Sequence, residues 1–176
     1  MAENEKVSAM IEALSTMLEG PLGRDSRGMI PLKQEISYID AYLYIIRERL
    51  GDSFRTEKEI EAGMDEVMIP RLILQPIVEN AVEHDITPQG GGSLCVKAYR
   101  QAGNIVLETV HSGKLSERDR TNINRIMETA LSGSETTIGL QNVIQRLHLI
   151  YGTAAYFSCE ESNDHIHMKF SFPEIS

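Results

Sequence analysis

Apolar residues recur at helical spacing from the start of the chain. Over residues 5–18, Val7, Met10, Ile11, Leu14, Met17 and Leu18 fall on one stripe. Gly20, Pro21, Gly23 and Gly28 are then expected to break the helix. A second helix is expected from near Pro31, a residue suited to a first helical turn. Ile36, Ile39, Leu43, Ile46 and Leu50 follow at three-four spacing, and Gly51 sits where a C-terminal cap belongs. From residue 54 the period changes. Residues 54–60 read as a strand, 61–64 as a turn and 68–84 as a helix, with Pro70 near its start and Pro76 expected to kink it. Residues 93–100 and 104–110 alternate around a hairpin signal at 101–104. A polar helix over 116–131, a small-residue loop over 132–137 and an apolar-striped helix over 138–151 come next. Strands over 155–160 and 166–172 close the chain.

Strand pairs joined by hairpins, with helices gathered between them, predict an α+β protein built as a two-layer α/β sandwich. Two parts are expected: a helical extension over residues 1–52 and a compact domain over 53–176. The helical hairpin of the extension carries more apolar surface than it can bury alone, which suggests dimerisation.

The 176 residues are 41% hydrophobic, enough for a core of this size. The net charge of −9, from 26 acidic and 17 basic residues, argues against a nucleic-acid surface. Cys95 and Cys159 stand far apart and read as two half-buried thiols of a reducing compartment; no Cys/His spacing suggests zinc. No apolar run reaches the ~18 residues of a membrane span, and no signal peptide is visible.

The segment from Leu74 to His84 carries the most chemistry. Ile73, Ile77, Asn80 and His84 share one helical face, and Glu79 adjoins Asn80. An apolar face has no use for a carboxylate and an amide. A nucleotide site does, because an amide oxygen can ligate magnesium held by phosphates. The plain alternative is a helix whose polar side faces solvent. His84, taken alone, reads as a satisfied half-buried histidine. His165 and His167 alternate on the last strand and read as exposed, as does His148.

Leu74-Gln75-Pro76-Ile77-Val78-Glu79-Asn80-Ala81 followed by His84 resembles the N-box of the GHKL ATPases, in the form seen in YesM-like and LytS-like sensor histidine kinases. Gly139-Leu140-Gln141-Asn142 and the helix after it resemble the G2 region of the same group. Leu32, Glu35, Tyr38, Ile39, Tyr42, Leu43, Ile46, Arg47 and Arg49 resemble the segment following its phosphoacceptor region. The resemblance spans roughly residues 30–172 by motif matching. It implies a Bergerat fold that binds ATP and Mg2+. Asn80 would ligate the metal, and Glu79 would act as the catalytic carboxylate. His84, His111, Gly113, Gly139 and Leu140 would lie at the nucleotide, the last two at a helix N-terminus that favours anions. A lid is expected over residues 121–137. The γ-phosphoryl would pass to an H-box histidine and on to a response regulator, in a homodimeric, membrane-anchored receptor whose soluble part is cytoplasmic. None of the five histidines lies in the early helices, so the acceptor is expected upstream of this chain.

Three positions depart from the family pattern. The G1 box, Asp-x-Gly-x-Gly, reads His111-Ser112-Gly113-Lys114-Leu115. The G2 box, Gly-x-Gly-Leu, reads Thr137-Ile138-Gly139-Leu140 and so lacks one glycine, and Asp85 stands where a glycine follows His84. Loss of the aspartate that accepts the adenine amino group would cost roughly 1.5 to 3 kcal/mol. The alternative reading is therefore a degenerate-site pseudokinase of the same fold. On this alignment His111→Asp is expected to strengthen ATP binding in a calorimetric titration.

Overall fold

The computed structural model describes residues 2–22, 28–132 and 139–174. Helix α1 (Ala2–Leu22) leads to the short strand β1 (Met29–Pro31) and to α2 (Leu32–Leu50). There follow β2 (Phe54–Ile60), β3 (Met68–Pro70), α3 (Leu74–Ala81), β4 (Gly92–Gln101) and β5 (Asn104–Ser112). Helices α4 (Glu117–Ser132) and α5 (Leu140–Tyr151) precede β6 (Tyr156–Ser162) and β7 (His165–Pro173). Five strands form one sheet in the order β2-β4-β5-β7-β6. Only the β2–β4 pair is parallel. Helices pack on one face of the sheet, giving the expected two layers of a mixed α/β fold.

The sheet's inner face explains the layering. Leu94, Val96 and Ala98 of β4 stand opposite His111, Thr109 and Leu107 of β5. Those in turn oppose Ile166, Met168 and Phe170 of β7. Every residue of these rows is buried, and all but Thr109 and His111 are apolar. The hairpin turn between β4 and β5 uses left-handed Ala102 and Gly103, and the β6–β7 turn uses left-handed Asn163 and Asp164. Paired left-handed turn residues match the twist of two-residue hairpins.

Three expectations about elements change. Helix α1 continues through Gly20 and Pro21 to Leu22. The segment expected as one helix over 68–84 divides into three parts. Met68–Pro70 is a strand that pairs with the identical tripeptide Met29–Pro31, Ile30 lying opposite Ile69. A bend follows in which Leu72 takes a left-handed φ of 55°. Helix α3 begins only at Leu74 and passes at Ala81 into a single π-helical turn, Val82–Ile86. Pro76 produces no kink, because it is the third residue of α3, where its missing N–H would lack a helical partner in any case.

Helix α2 is tied into the same body. Its first amides, Leu32 and Lys33, donate to the carbonyls of Val67 and Asp65. Its Leu32, Ile39, Leu43 and Ile46 share a core with Phe54, Ile69 and Ile77, so residues on both sides of position 52 pack together. On α1, Val7, Ile11 and Leu14 remain 50 to 58% exposed.

The fully buried Glu35 of α2 governs where α3 starts. Its carboxylate accepts from the backbone N–H of Leu72 (2.8 Å), Leu74 (3.0 Å) and Gln75 (3.3 Å). No side chain of the α3 N-terminus caps it locally. Burial holds the Glu35 pKa above the ordinary 4.5, while the amide donors pull it down. Glu35→Ala removes the acceptor of one buried and two half-buried amides and is expected to cost about 3 kcal/mol or more in urea denaturation. Because the folded pKa is raised, the stability lent by ionisation linkage is complete below pH 4.5 and declines as pH rises through the folded value. The stability gap between wild type and Glu35→Gln should accordingly narrow toward neutral pH. A gap that widens instead would refute the assigned direction.

Candidate functional site

A cleft of about 630 Å³ opens where the end of α3, its π-turn, the start of α4, the start of α5 and the inner face of β7 converge. From Ile73, just before α3, to the π-turn after it, Ile73 and Ile77 are fully buried, Asn80 is half-buried and His84 is exposed. The face therefore runs from the core out into the cleft, and the amide and imidazole are presented where the apolar packing ends. Glu79 accepts a 2.7 Å hydrogen bond from Gln75 Nε2 one turn earlier, which holds its carboxylate along the helix. The Asn80 amide makes no hydrogen bond among the described residues. Tyr42 of α2 lies near this end of α3; burial, with Glu83 and Glu79 adding their charge, raises its hydroxyl pKa.

The π-turn redirects the next side chains. A π-helical turn inserts an extra residue into the helical ladder and often marks a functional site. Here Asp85 points back toward the sheet. Its Oδ2 accepts from His111 Nε2 at 3.0 Å, and His111 is 0% exposed on the inner face of β5. With the carboxylate accepting, Nε2 is the donor, and the buried Nδ1 has no partner among the described residues. Two residues along the strand, the buried hydroxyl of Thr109 also has no partner among the described residues. Buried polar atoms without partners are uncommon enough to mark a place where another group belongs. Gly113 packs tightly here: a Cβ on it would meet Ile166 Cδ1 at 3.0 Å and the Asp85 carboxyl at 3.2 Å.

The opposite wall is held by side-chain caps. Ser116 and Asp119 form a reciprocal cap at the start of α4, with Asp119 Oδ2 accepting from Ser116 N at 2.8 Å and Ser116 Oγ accepting from Asp119 N at 3.1 Å. Glu161 of β6 accepts from Leu115 N at 3.0 Å and from Arg120 at 2.9 Å, fixing the connection from β5 into α4. The α4 wall presents Arg118, Asp119 and Asn122. Gly139 takes a left-handed φ of 78° immediately before α5, with open space around its Cα, so it serves conformation rather than packing.

Of the residues expected at the site, Glu79, Asn80, His84, Gly139 and Leu140 line the cleft together. His84 is exposed rather than half-buried and satisfied. His111 and Gly113 lie behind the lining, against Asp85. Residues 133–137 of the expected lid, and Thr137 and Ile138 of the G2 region, lie outside the described residues. Asp85, Glu83 and Arg118 were not singled out as site residues from sequence. The departures at positions 85 and 111 were visible there, but nothing in linear order said that they touch. His167 bonds Glu108 at 3.0 Å, His165 bonds the Asn163 carbonyl at 2.9 Å, and His148 bonds the Gly152 carbonyl at 3.0 Å. Cys95 and Cys159 are free and half-buried. Burial pushes their pKa values up to about 11 and about 12 respectively, so neither is a thiolate near neutral pH. No helix among the described residues is long and apolar enough to cross a membrane.

Comparison with known proteins gives this architecture a class. The catalytic domain of the histidine kinase ThkA superposes with a TM-score of 0.60 at 15% identity, over 83% of this chain and 94% of that one. The histidine kinase domain of the blue-light activated kinase of Erythrobacter litoralis EL346 does so at 0.57 and 15%, over 96% and 75%. The fold is that of GHKL histidine-kinase catalytic domains. A family model described as Histidine kinase matches residues 1–54. The sensor protein LytS of Oceanobacillus iheyensis is 24% identical over 173 residues, covering 96% of this chain and 29% of LytS. The sensor histidine kinase YpdA of Escherichia coli is 32% identical over 127 residues, covering 70% of this chain and 21% of YpdA. In sequence the chain is thus similar to LytS-like sensor kinases over nearly its whole length, and in fold to histidine-kinase catalytic domains. It spans less than a third of the length of these curated relatives.

The Asp85–His111 contact reverses one expectation from sequence. An aspartate at 111 would face the Asp85 carboxylate, and two carboxylates sharing a site cannot both ionise cheaply. His111→Asp alone is now expected to destabilise the fold by roughly 2 kcal/mol and not to tighten ATP binding. Urea denaturation and calorimetric titration check the two parts separately.

Proposed function

We propose that this domain binds ATP with magnesium in the cleft and presents the γ-phosphoryl to a histidine on a helical segment of the parent kinase, for relay to a response regulator. The observation that carries the reading is the convergence of Glu79 and Asn80 from α3 with Gly139 and Leu140 from the start of α5 on one cavity. These come from distant parts of the chain and meet only through the fold.

The cleft's chemistry fits the proposed ligands. Among the described residues, the carboxylates of Glu79, Glu83, Asp85 and Asp119 line it against the guanidinium of Arg118. A triphosphate alone would meet net repulsion there, and a magnesium ion supplies the neutralising charge. The Asn80 amide oxygen, without a hydrogen bond among the described residues, is the hard oxygen that would hold the ion. The N-terminus of α5, entered through Gly139 without a side-chain cap, is a helix end whose dipole favours phosphate. The apolar side chains of Leu115, Ile123, Ile126, Ile166 and Met168 offer a dry surface for a flat base. Glu79, one residue from Asn80, would orient the ligated groups. ThkA has been solved in complex with its response regulator TrrA, which supports the same class of partner here. The exposed Val7, Ile11 and Leu14 of α1 fit a helical dimer in the parent kinase.

The pseudokinase alternative draws on Leu115, whose side chain occupies the cleft wall where the family pattern has glycine. Titration with a non-hydrolysable ATP analogue separates the two readings. The kinase reading expects micromolar binding that weakens at least about ten-fold without magnesium, and Asn80→Ala should remove that dependence. No binding at millimolar nucleotide would favour the pseudokinase. Equal affinity with and without magnesium would remove Asn80 from the metal-binding role.

A further inference from the structure

We infer that Asp85, held by His111, is the hydrogen-bond acceptor that selects an amino-bearing purine in this cleft. The inference rests on the nucleotide reading proposed above and adds the residue that decides base specificity.

Three observations carry it. Asp85 lines the cleft, whereas His111, one hydrogen bond behind it, does not. The Asp85 Oδ2 is committed to His111 Nε2 at 3.0 Å, while Oδ1 has no hydrogen-bond partner among the described residues. The carboxylate is also held in place: the absent Gly113 side chain makes room for it, since a Cβ there would come within 3.2 Å of its Cγ and Oδ1. The apolar side chains of Ile166 and Met168 line the same cleft. A fixed acceptor at the edge of an apolar slot accepts from an exocyclic N–H and repels a carbonyl oxygen in the same place. Positions 85 and 111 thus act as an exchanged pair. The carboxylate is supplied from the π-turn after α3, and the strand supplies the donor that orients it. A carboxylate at both positions would repel, and one at neither would leave the slot without an acceptor.

The test compares binding of non-hydrolysable analogues of ATP and of inosine triphosphate, which carries a carbonyl in place of the amino group. Wild type is expected to prefer the adenine analogue by on the order of ten- to a hundred-fold. Asp85→Asn should bring the ratio toward one. The exchange variant Asp85→Gly with His111→Asp should restore the preference by placing the carboxylate on β5. Circular dichroism confirms folding of each protein. Adenine-analogue binding with no preference in wild type, or a preference that survives in Asp85→Asn, would overturn the role of Asp85 while leaving the nucleotide reading intact. Binding of neither analogue by folded wild type would overturn both.

Discussion

The structure turns on a buried carboxylate that belongs to no local motif. Glu35 reaches from α2 to the amides of Leu72, Leu74 and Gln75, and so decides that α3 begins at Leu74 and not at Met68. A carboxyl group is costly to bury, and it is retained where several donors satisfy it at once. Arg146 of α5 reinforces the arrangement: its positive charge lies near Glu35, and its guanidinium donates to the carbonyl of Arg71. The left-handed Leu72 is thereby held in a conformation that a bulky residue rarely adopts. Helices α2, α3 and α5 are thus locked at one point. From that point α3 projects Glu79 and Asn80 toward the cleft, and α5 begins opposite them.

A second constraint lies on the sheet. The inner face of β5 interrupts its apolar rows with Thr109 and His111, both buried. In an ordinary core these polar residues would be faults. Here they lie beneath a cleft, and one of them positions Asp85. The π-turn makes this contact possible, because a regular helical continuation through Val82–Ile86 would aim residue 85 elsewhere. The irregular turn, the buried histidine and the crowded Gly113 are one arrangement that places a carboxylate at the cleft.

Much of the fold was legible because its signals were long or chemically sharp. The alternating strands β4, β5 and β7, the hairpin turns and the stripe of α5 all lie close to where periodicity put them. The short pair β1–β3 was not legible. Three residues of Met-Ile-Pro hold too little pattern to identify a strand, and Pro70 before an apolar run imitates a helix start. The same proline ambiguity applied at Pro76, where a kink was expected and a tolerated first-turn position was found. For the cleft, Glu79 and Asn80 could be chosen from sequence, since an amide and a carboxylate on an apolar helix face call for a polar ligand, whereas Gly139 and Leu140 were implied only by the family resemblance. The relation between Asp85 and His111 could not, because 26 residues separate them and each alone is only a substitution.

By itself the sequence determined the layer architecture, the helix that carries Glu79 and Asn80, and the acidic character of the molecule. Hydrophobic period, turn chemistry and charge are local quantities that the chain states outright. The tertiary structure alone decided where α3 begins, which atoms of the cleft are free and which carboxylate faces a ligand. Those depend on burial and on hydrogen bonds between distant residues: Glu35 to the α3 amides, and His111 to Asp85. A residue's type gives its chemical capacity, but only the surrounding fold leaves an acceptor such as Asp85 Oδ1 without a partner among the described residues.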